Sequence, residues 1–132
     1  MRKIFLILSM IGLSACQSSE PVMTSGVPAQ IQVQPASSFG ALFQAERQSR
    51  GLGSVTPNGK LTRVASSHAA DMARQGYFDH TSPSGGTVGS RGKSVGYCYR
   101  LISENIAKGQ SDEATVMQSW VGSPGHRRNI LN

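Results

Sequence analysis

Residues 103–132 read SENIAKGQSDEATVMQSWVGSPGHRRNILN, and they put a carboxylate, an amphipathic helix and a histidine into one block. Ser111 is placed to cap a helix, with Asp112 and Glu113 in the first turn, where the helix dipole favours negative charge. Val116, Met117, Trp120 and Val121 recur at i, i+1, i+4 and i+5 and draw one apolar stripe, which must face a core. Gly122 ends this helix. Ser123 then reads as a second N-cap with Pro124 at the first helical position, where a missing N–H costs nothing. His126 is therefore expected in the first turn of a short helix, whose N-terminal dipole disfavours imidazolium and leaves the ring neutral near pH 7.

Working outward, two further helices are predicted. One covers 39–50, capped by Ser38, with Phe39, Leu42 and Phe43 inward and Glu46 facing Arg50 at i,i+4. The other covers 60–75, follows the Thr56-Pro57-Asn58-Gly59 turn, and carries Leu61, Val64, Ala65, His68, Met72 and Ala73 on one face before Gly76 stops it. His68 lies on that apolar face and reads as a hydrogen-bonded core histidine rather than a ligand. Residues 77–83 leave the helix for a turn at Pro83 and set His80 at the edge of the packed helices. The glycine-rich stretch 84–96 has neither a preceding strand nor a GK[ST] ending, which excludes a phosphate cradle and predicts a mobile surface loop. Residues 104–107 are expected to form a short strand ended by Gly109.

The N-terminus is an address. Arg2 and Lys3 precede an apolar run, Ile4 to Leu13, that is too short to span a bilayer, and Leu13-Ser14-Ala15-Cys16 follows. This resembles a bacterial lipobox, which implies cleavage of residues 1–15 and acylation of Cys16. An ordinary secretory signal ending at Ala15 is the alternative. Gln17, where that class uses aspartate for inner-membrane retention, points to the outer membrane facing the periplasm, in a host that has one. Residues 16–38 carry Pro21, Pro28 and Pro35 without a period that buries a face, so they are a flexible tether with a typical reach of roughly 25 Å. Residues 39–132 remain as one domain.

An acylated Cys16 leaves Cys98 as the lone thiol of the mature chain, with no intramolecular disulfide possible and a small buried hydrophobe as its expected role. The whole chain has 13 Lys+Arg against 7 Asp+Glu; losing Arg2 and Lys3 with the signal leaves 11 against 7. So mild a positive balance, with no basic and aromatic residues interleaved along a groove-sized stretch, excludes nucleic acid as a partner. An anionic membrane surface remains compatible.

HAADMARQGYFDHTSP at 68–83, SENIAKGQ at 103–110 and MQSWVGSPGHRRNILN at 117–132, in that order, resemble the bacterial branch of the CAP superfamily, the cysteine-rich secretory, antigen 5 and pathogenesis-related (SCP-like) group. The resemblance implies an α+β fold, an α-β-α sandwich with a cleft that collects two histidines and acidic side chains. On matching positions these are His80, Glu104 (with Ser103 replacing the usual glycine) and His126. In the eukaryotic branch of the family a further glutamate follows the helix tryptophan; it has no counterpart here, since Val121, Gly122 and Ser123 follow Trp120. Family domains also continue past NILN into two more strands, so a C-terminally truncated, mostly helical domain with exposed Ile130 and Leu131 is expected.

Two imidazoles and a carboxylate with an open fourth position suit Zn²⁺, with His80, Glu104 and His126 as candidate ligands. Without a metal, Glu104 would orient one imidazole while the other acts as base, and Ser82 and Ser123 read as turn and cap residues rather than nucleophiles. The leading expectation is a lipid-anchored envelope module that binds a divalent metal or an apolar or cell-wall ligand. An envelope hydrolase using His80, Glu104 and His126 is the alternative, and a vestigial protein is a third.

Overall fold

The computed structural model describes residues 38–132, so the signal, Cys16 and nearly all of the tether lie outside the described residues. Five helices are present: α1 (Phe39–Gln48), α2 (Gly59–Gln75), α3 (Val88–Ser94), α4 (Glu113–Gly122) and α5 (Pro124–Leu131). None is long and apolar enough to cross a membrane.

Local chemistry explains each boundary. Ser38 caps α1 by accepting from Ala41 N, and Asn58 caps α2 by accepting from Lys60 N and Leu61 N. Gly76 ends α2 at φ +71°, a left-handed conformation that needs no Cβ. The cap of α4 is Asp112, one residue later than the sequence suggested. Its carboxylate accepts from Thr115 N at 2.8 Å, while the Ser111 hydroxyl donates to Asp112 Oδ2 at 2.7 Å. A carboxylate is the stronger acceptor at a helix N-terminus, so it takes the cap.

The glycine-rich stretch is not simply a loop. It contains α3, started by a capping box in which the Thr87 and Ser90 side chains each accept from the other's backbone N–H. Its glycines sit on the packed side. A Cβ at Gly89 would lie 2.6 Å from the Tyr99 hydroxyl, and one at Gly92 would lie 2.9 Å from Ile102 Cδ1. Small residues there let the helix approach the chain that follows it.

Helices α1, α4 and α5 pack on one another, and α2 packs on α3; among the described residues the two groups do not touch helix to helix. They meet through the extended segment 101–110. The first group encloses Phe39, Phe43, Ala107, Val116, Met117, Trp120 and Ile130, with Phe39 edge-on to Trp120 at 5.3 Å between ring centroids. Ile130 is 0% exposed and Leu131 is half-buried against the same cluster, which corrects the expectation that both would be exposed. Both pack on the apolar cluster, and the buried Arg47 guanidinium donates to the backbone oxygens of Gly53, Ile130 and Asn132, linking the end of α5 to α1.

Residues 104–107 are buried and extended but form no strand, and no strand occurs among the described residues. A ladder needs a neighbouring chain to pair with. Here side chains satisfy two of the carbonyls instead: Trp120 Nε1 donates to Ile106 O at 3.2 Å and Asn129 Nδ2 to Glu104 O at 3.4 Å. The described part is thus helical, as expected of a domain that lacks the last strands, and among the described residues no sheet of an α-β-α sandwich is formed. Cys98 also departs from expectation and is exposed. Tyr97 and Tyr99 stack on one side at 6.5 Å, and alternation along the chain turns the thiol between them outward.

Candidate functional site

The extended segment carries the site. Glu104 is buried, and each of its carboxylate oxygens has a charged or polar partner. Oε1 accepts from His80 Nδ1 at 2.8 Å, and Oε2 accepts from an Arg91 guanidinium N–H at 2.8 Å. The same Arg91 donates to His80 O at 3.0 Å and to Gly86 O at 2.7 Å, so it ties the turn after α2 to α3. His68 lies 3.8 Å from Glu104 Oε1 but donates its Nε2–H to Asp79 O at 3.0 Å.

Because a carboxylate only accepts, His80 Nδ1 carries the proton in this bond, and in the neutral ring the lone pair is then on Nε2. His80 is the exposed member, with 52% of its side chain reaching solvent against 1% for that of Glu104. His126 is arranged in parallel. Its Nδ1 pairs with Ser123 Oγ at 2.9 Å, and its ring stacks on Trp120 at 6.1 Å and 20°. Ser123 is therefore not a side-chain cap, although it occupies the N-cap position of α5; its hydroxyl is committed to the imidazole. Asn105, fully buried, donates to His126 O at 3.1 Å and accepts from Asn129 Nδ2 at 2.8 Å.

Burial lowers the His126 pKa below its ordinary value, and the charge His80 carries when protonated lowers it further, so the two rings sense one another. His126 is neutral near pH 7, as expected, although burial rather than the helix dipole is the main cause. Burial also lowers His68, with Glu104 opposing and Arg91 adding to the effect. Behind His68, the Tyr77 hydroxyl donates to Asp71 Oδ2 at 2.7 Å. Burial and this bond push the Tyr77 phenol up to about 12, while the same bond holds the Asp71 carboxyl below its usual range.

A protein-family model for the cysteine-rich secretory protein family, CAP, matches residues 41–132. The chain belongs to the CAP family. The uncharacterised Bacillus subtilis (strain 168) protein YkwD is 43% identical over 91 residues, which is 69% of this chain and 35% of that one. The uncharacterised B. subtilis membrane protein YlbC is 30% identical over 86 residues, 65% of this chain and 25% of that one. Among solved structures, an extracellular protein from Bacillus anthracis str. Ames that contains an SCP domain matches with a TM-score of 0.69 at 35% identity, over 71% of this chain and 32% of its own. The chain thus spans about a third or less of the length of each of these relatives.

Within this CAP domain, His80 and Glu104 meet directly. His126 joins them through its neighbour Asn105 and through charge, with no direct bond to Glu104. Among the described residues no three His, Cys, Asp or Glu side chains are grouped to hold a metal ion. Both oxygens of Glu104 are already engaged, so the carboxylate is a holder of His80 rather than a ready ligand. Sequence reasoning missed Arg91, which it had placed in a mobile loop, and Asn105, which it treated as part of a strand. The Thr87–Ser90 capping pair was the available signal that residues around Arg91 are ordered.

Proposed function

We propose that the chain is an exported CAP module of the bacterial envelope, lipid-anchored at Cys16, that takes its ligand on the outward nitrogens of His80 and His126. One observation carries this reading: each imidazole has its Nδ1 committed to an oxygen, Glu104 for His80 and Ser123 for His126, which leaves both Nε2 atoms for an incoming group. Histidines that bind metal commonly donate the far ring N–H to a carboxylate, as His80 does to Glu104. A divalent cation such as Zn²⁺ is the first ligand to test. His80 and His126 would hold it, and Glu104 would sit behind His80 rather than on the ion. The two nitrogens would leave further positions for water or for a cell-wall or apolar ligand. The buried carboxylate supports a working site over a vestigial one, because a helical core alone gains little from burying a charge.

A hydrolase is the second reading, and the Glu104–His80 pair favours it, since an acid that orients an imidazole is half of a general-base device. Ser82 is not its nucleophile. The Ser82 hydroxyl accepts from Gly86 N and pairs with Ser84. Ser123 is held by His126. Water would have to attack.

Calorimetric titration of the full chain with Zn²⁺, beside His80→Ala and His126→Ala, separates these readings. Uptake by the parent that both variants lose supports the two-imidazole site, and equal uptake by all three removes it. Release of fragments from peptide or cell-wall polymer that requires Glu104 and His80 would favour the enzyme.

A further inference from the structure

Arg91 touches three separate oxygens, and all three belong to the frame around His80. The first is the carboxylate that accepts the His80 ring proton, at 2.8 Å; the second is the carbonyl of His80 itself, at 3.0 Å; the third is Gly86 O, at 2.7 Å, which also accepts from Ser82 N and closes the turn just after His80. The guanidinium is mostly buried, with 16% of the side chain exposed against 1% for Glu104. A buried carboxylate needs a counter-charge, and Arg91 supplies one at hydrogen-bond distance on the oxygen that His80 does not use. Its planar fork reaches several acceptors from one side chain, which a lysine ammonium on a flexible stem does not match.

We infer that Arg91 is the positioning residue of this site: it holds Glu104 in the orientation that fixes His80 as the Nδ1–H tautomer, with the Nε2 lone pair outward. Helix α3 exists to deliver it. Its capping box fixes where the helix starts, and Gly89 and Gly92 let it settle against Tyr99 and Ile102, so that Arg91 falls opposite Glu104. His68 does not substitute for Arg91, because its Nε2–H is committed to Asp79 O. Without the guanidinium, Glu104 keeps His80 Nδ1 but, among the described residues, no permanently charged partner at hydrogen-bond distance, and the His80 turn loses two of its ties.

This inference rests on the proposed role of His80 as a ligand-facing ring, but its test needs no ligand. Ring ¹⁵N spectra of the histidine-labelled full chain at about pH 8, where unperturbed imidazoles are neutral, report the tautomer of each histidine. The parent is expected to show His80 as Nδ1–H. Arg91→Gln, with circular dichroism confirming the fold, is expected to lose the single Nδ1–H pattern, giving Nε2–H where Glu104 turns away or the doubly protonated ring where His80 becomes its counter-charge, and either result upholds the inference. Arg91→Lys, which keeps the charge but reaches fewer oxygens, is expected to give a mixture. A parent-like His80 pattern in a folded Arg91→Gln chain overturns the inference. Should that variant not fold, Arg91→Lys decides alone, with a mixture upholding the inference and a parent-like pattern overturning it. Zn²⁺ affinity provides a second readout, expected to fall about 10-fold in Arg91→Gln. A parent that takes up no Zn²⁺ would end the metal reading and leave the tautomer result standing by itself.

Discussion

Glu104 and Asn105 are neighbours in sequence, yet their side chains serve different helix groups. Glu104 bonds His80 and Arg91 beside α2 and α3, while Asn105 bonds the His126 carbonyl and Asn129 on α5. Two adjacent positions of one extended segment therefore place both histidines of the site. The two side chains diverge from the backbone, Glu104 towards His80 and Arg91 and Asn105 towards His126 and Asn129.

That arrangement makes Asn105 a sensitive position. Asn105→Ala should cost about 2 kcal/mol, because it leaves the His126 carbonyl and the Asn129 amide without their buried partner. Urea unfolding monitored by Trp120 fluorescence measures it. The histidine spectra should show His126 disturbed and His80 unchanged, and the reverse pattern would contradict the division of labour between the two neighbours.

Among the described residues Arg47 has no carboxylate partner; it is held by three backbone oxygens, two of them at the end of α5. Arg47→Met keeps most of the packing and removes these charge-assisted bonds, at a cost on the order of 3 kcal/mol. Arg47→Lys should recover only part of that loss. Unfolding midpoints for the three proteins decide the matter, and a change under about 0.5 kcal/mol for Arg47→Met would show that α5 holds its place without the clamp.

Acid should weaken the fold through His68 and His126. Both have pKa values lowered in the folded state, chiefly by burial, so the unfolded chain takes up protons first as pH falls through about 6.5. With more protons bound to the unfolded state, stability is fully present above that pH and declines below it, towards the lowered folded values. Denaturation midpoints measured from about pH 7 to pH 5 should fall, and the fall should be shallower in His68→Gln. A parent whose midpoint is flat or rises over that interval would contradict the assignment of His68 as a buried neutral ring.

Anchoring through Cys16 predicts a diacylglycerol adduct on that residue by mass spectrometry and a chain that sediments with membranes. Cys16→Ser should move the protein to the soluble fraction. Unchanged sedimentation of that variant would leave export without a lipid tether.

Much of the helical scaffold was readable from local chemistry. Phe39 and Phe43, then Leu61, Val64 and Met72, then Val116, Met117 and Trp120 recur at helical spacing, and each group is buried. Ser38 and Gly76 bound their helices as their chemistry requires. The helix α3 was obscured because glycines normally argue against a helix, and here they serve a close approach visible only once Tyr99 and Ile102 are in place. The strand expected at 104–107 failed for the converse reason: its residues suit a ladder, but pairing is a property of two segments and none among the described residues runs beside it.

By itself the sequence determined the helical periodicities, the Ser38 cap, the Gly76 stop and the order of the three motifs that resemble the CAP family, because these depend on residues a few positions apart. It also singled out His80, Glu104 and His126. Only the tertiary structure decided what Glu104 does. Its two oxygens face Arg91 and His80, 13 and 24 residues away along the chain, and no local rule couples positions so distant. Burial and charge pairing are set by what folding brings alongside, and here they commit both oxygens of Glu104 to His80 and Arg91.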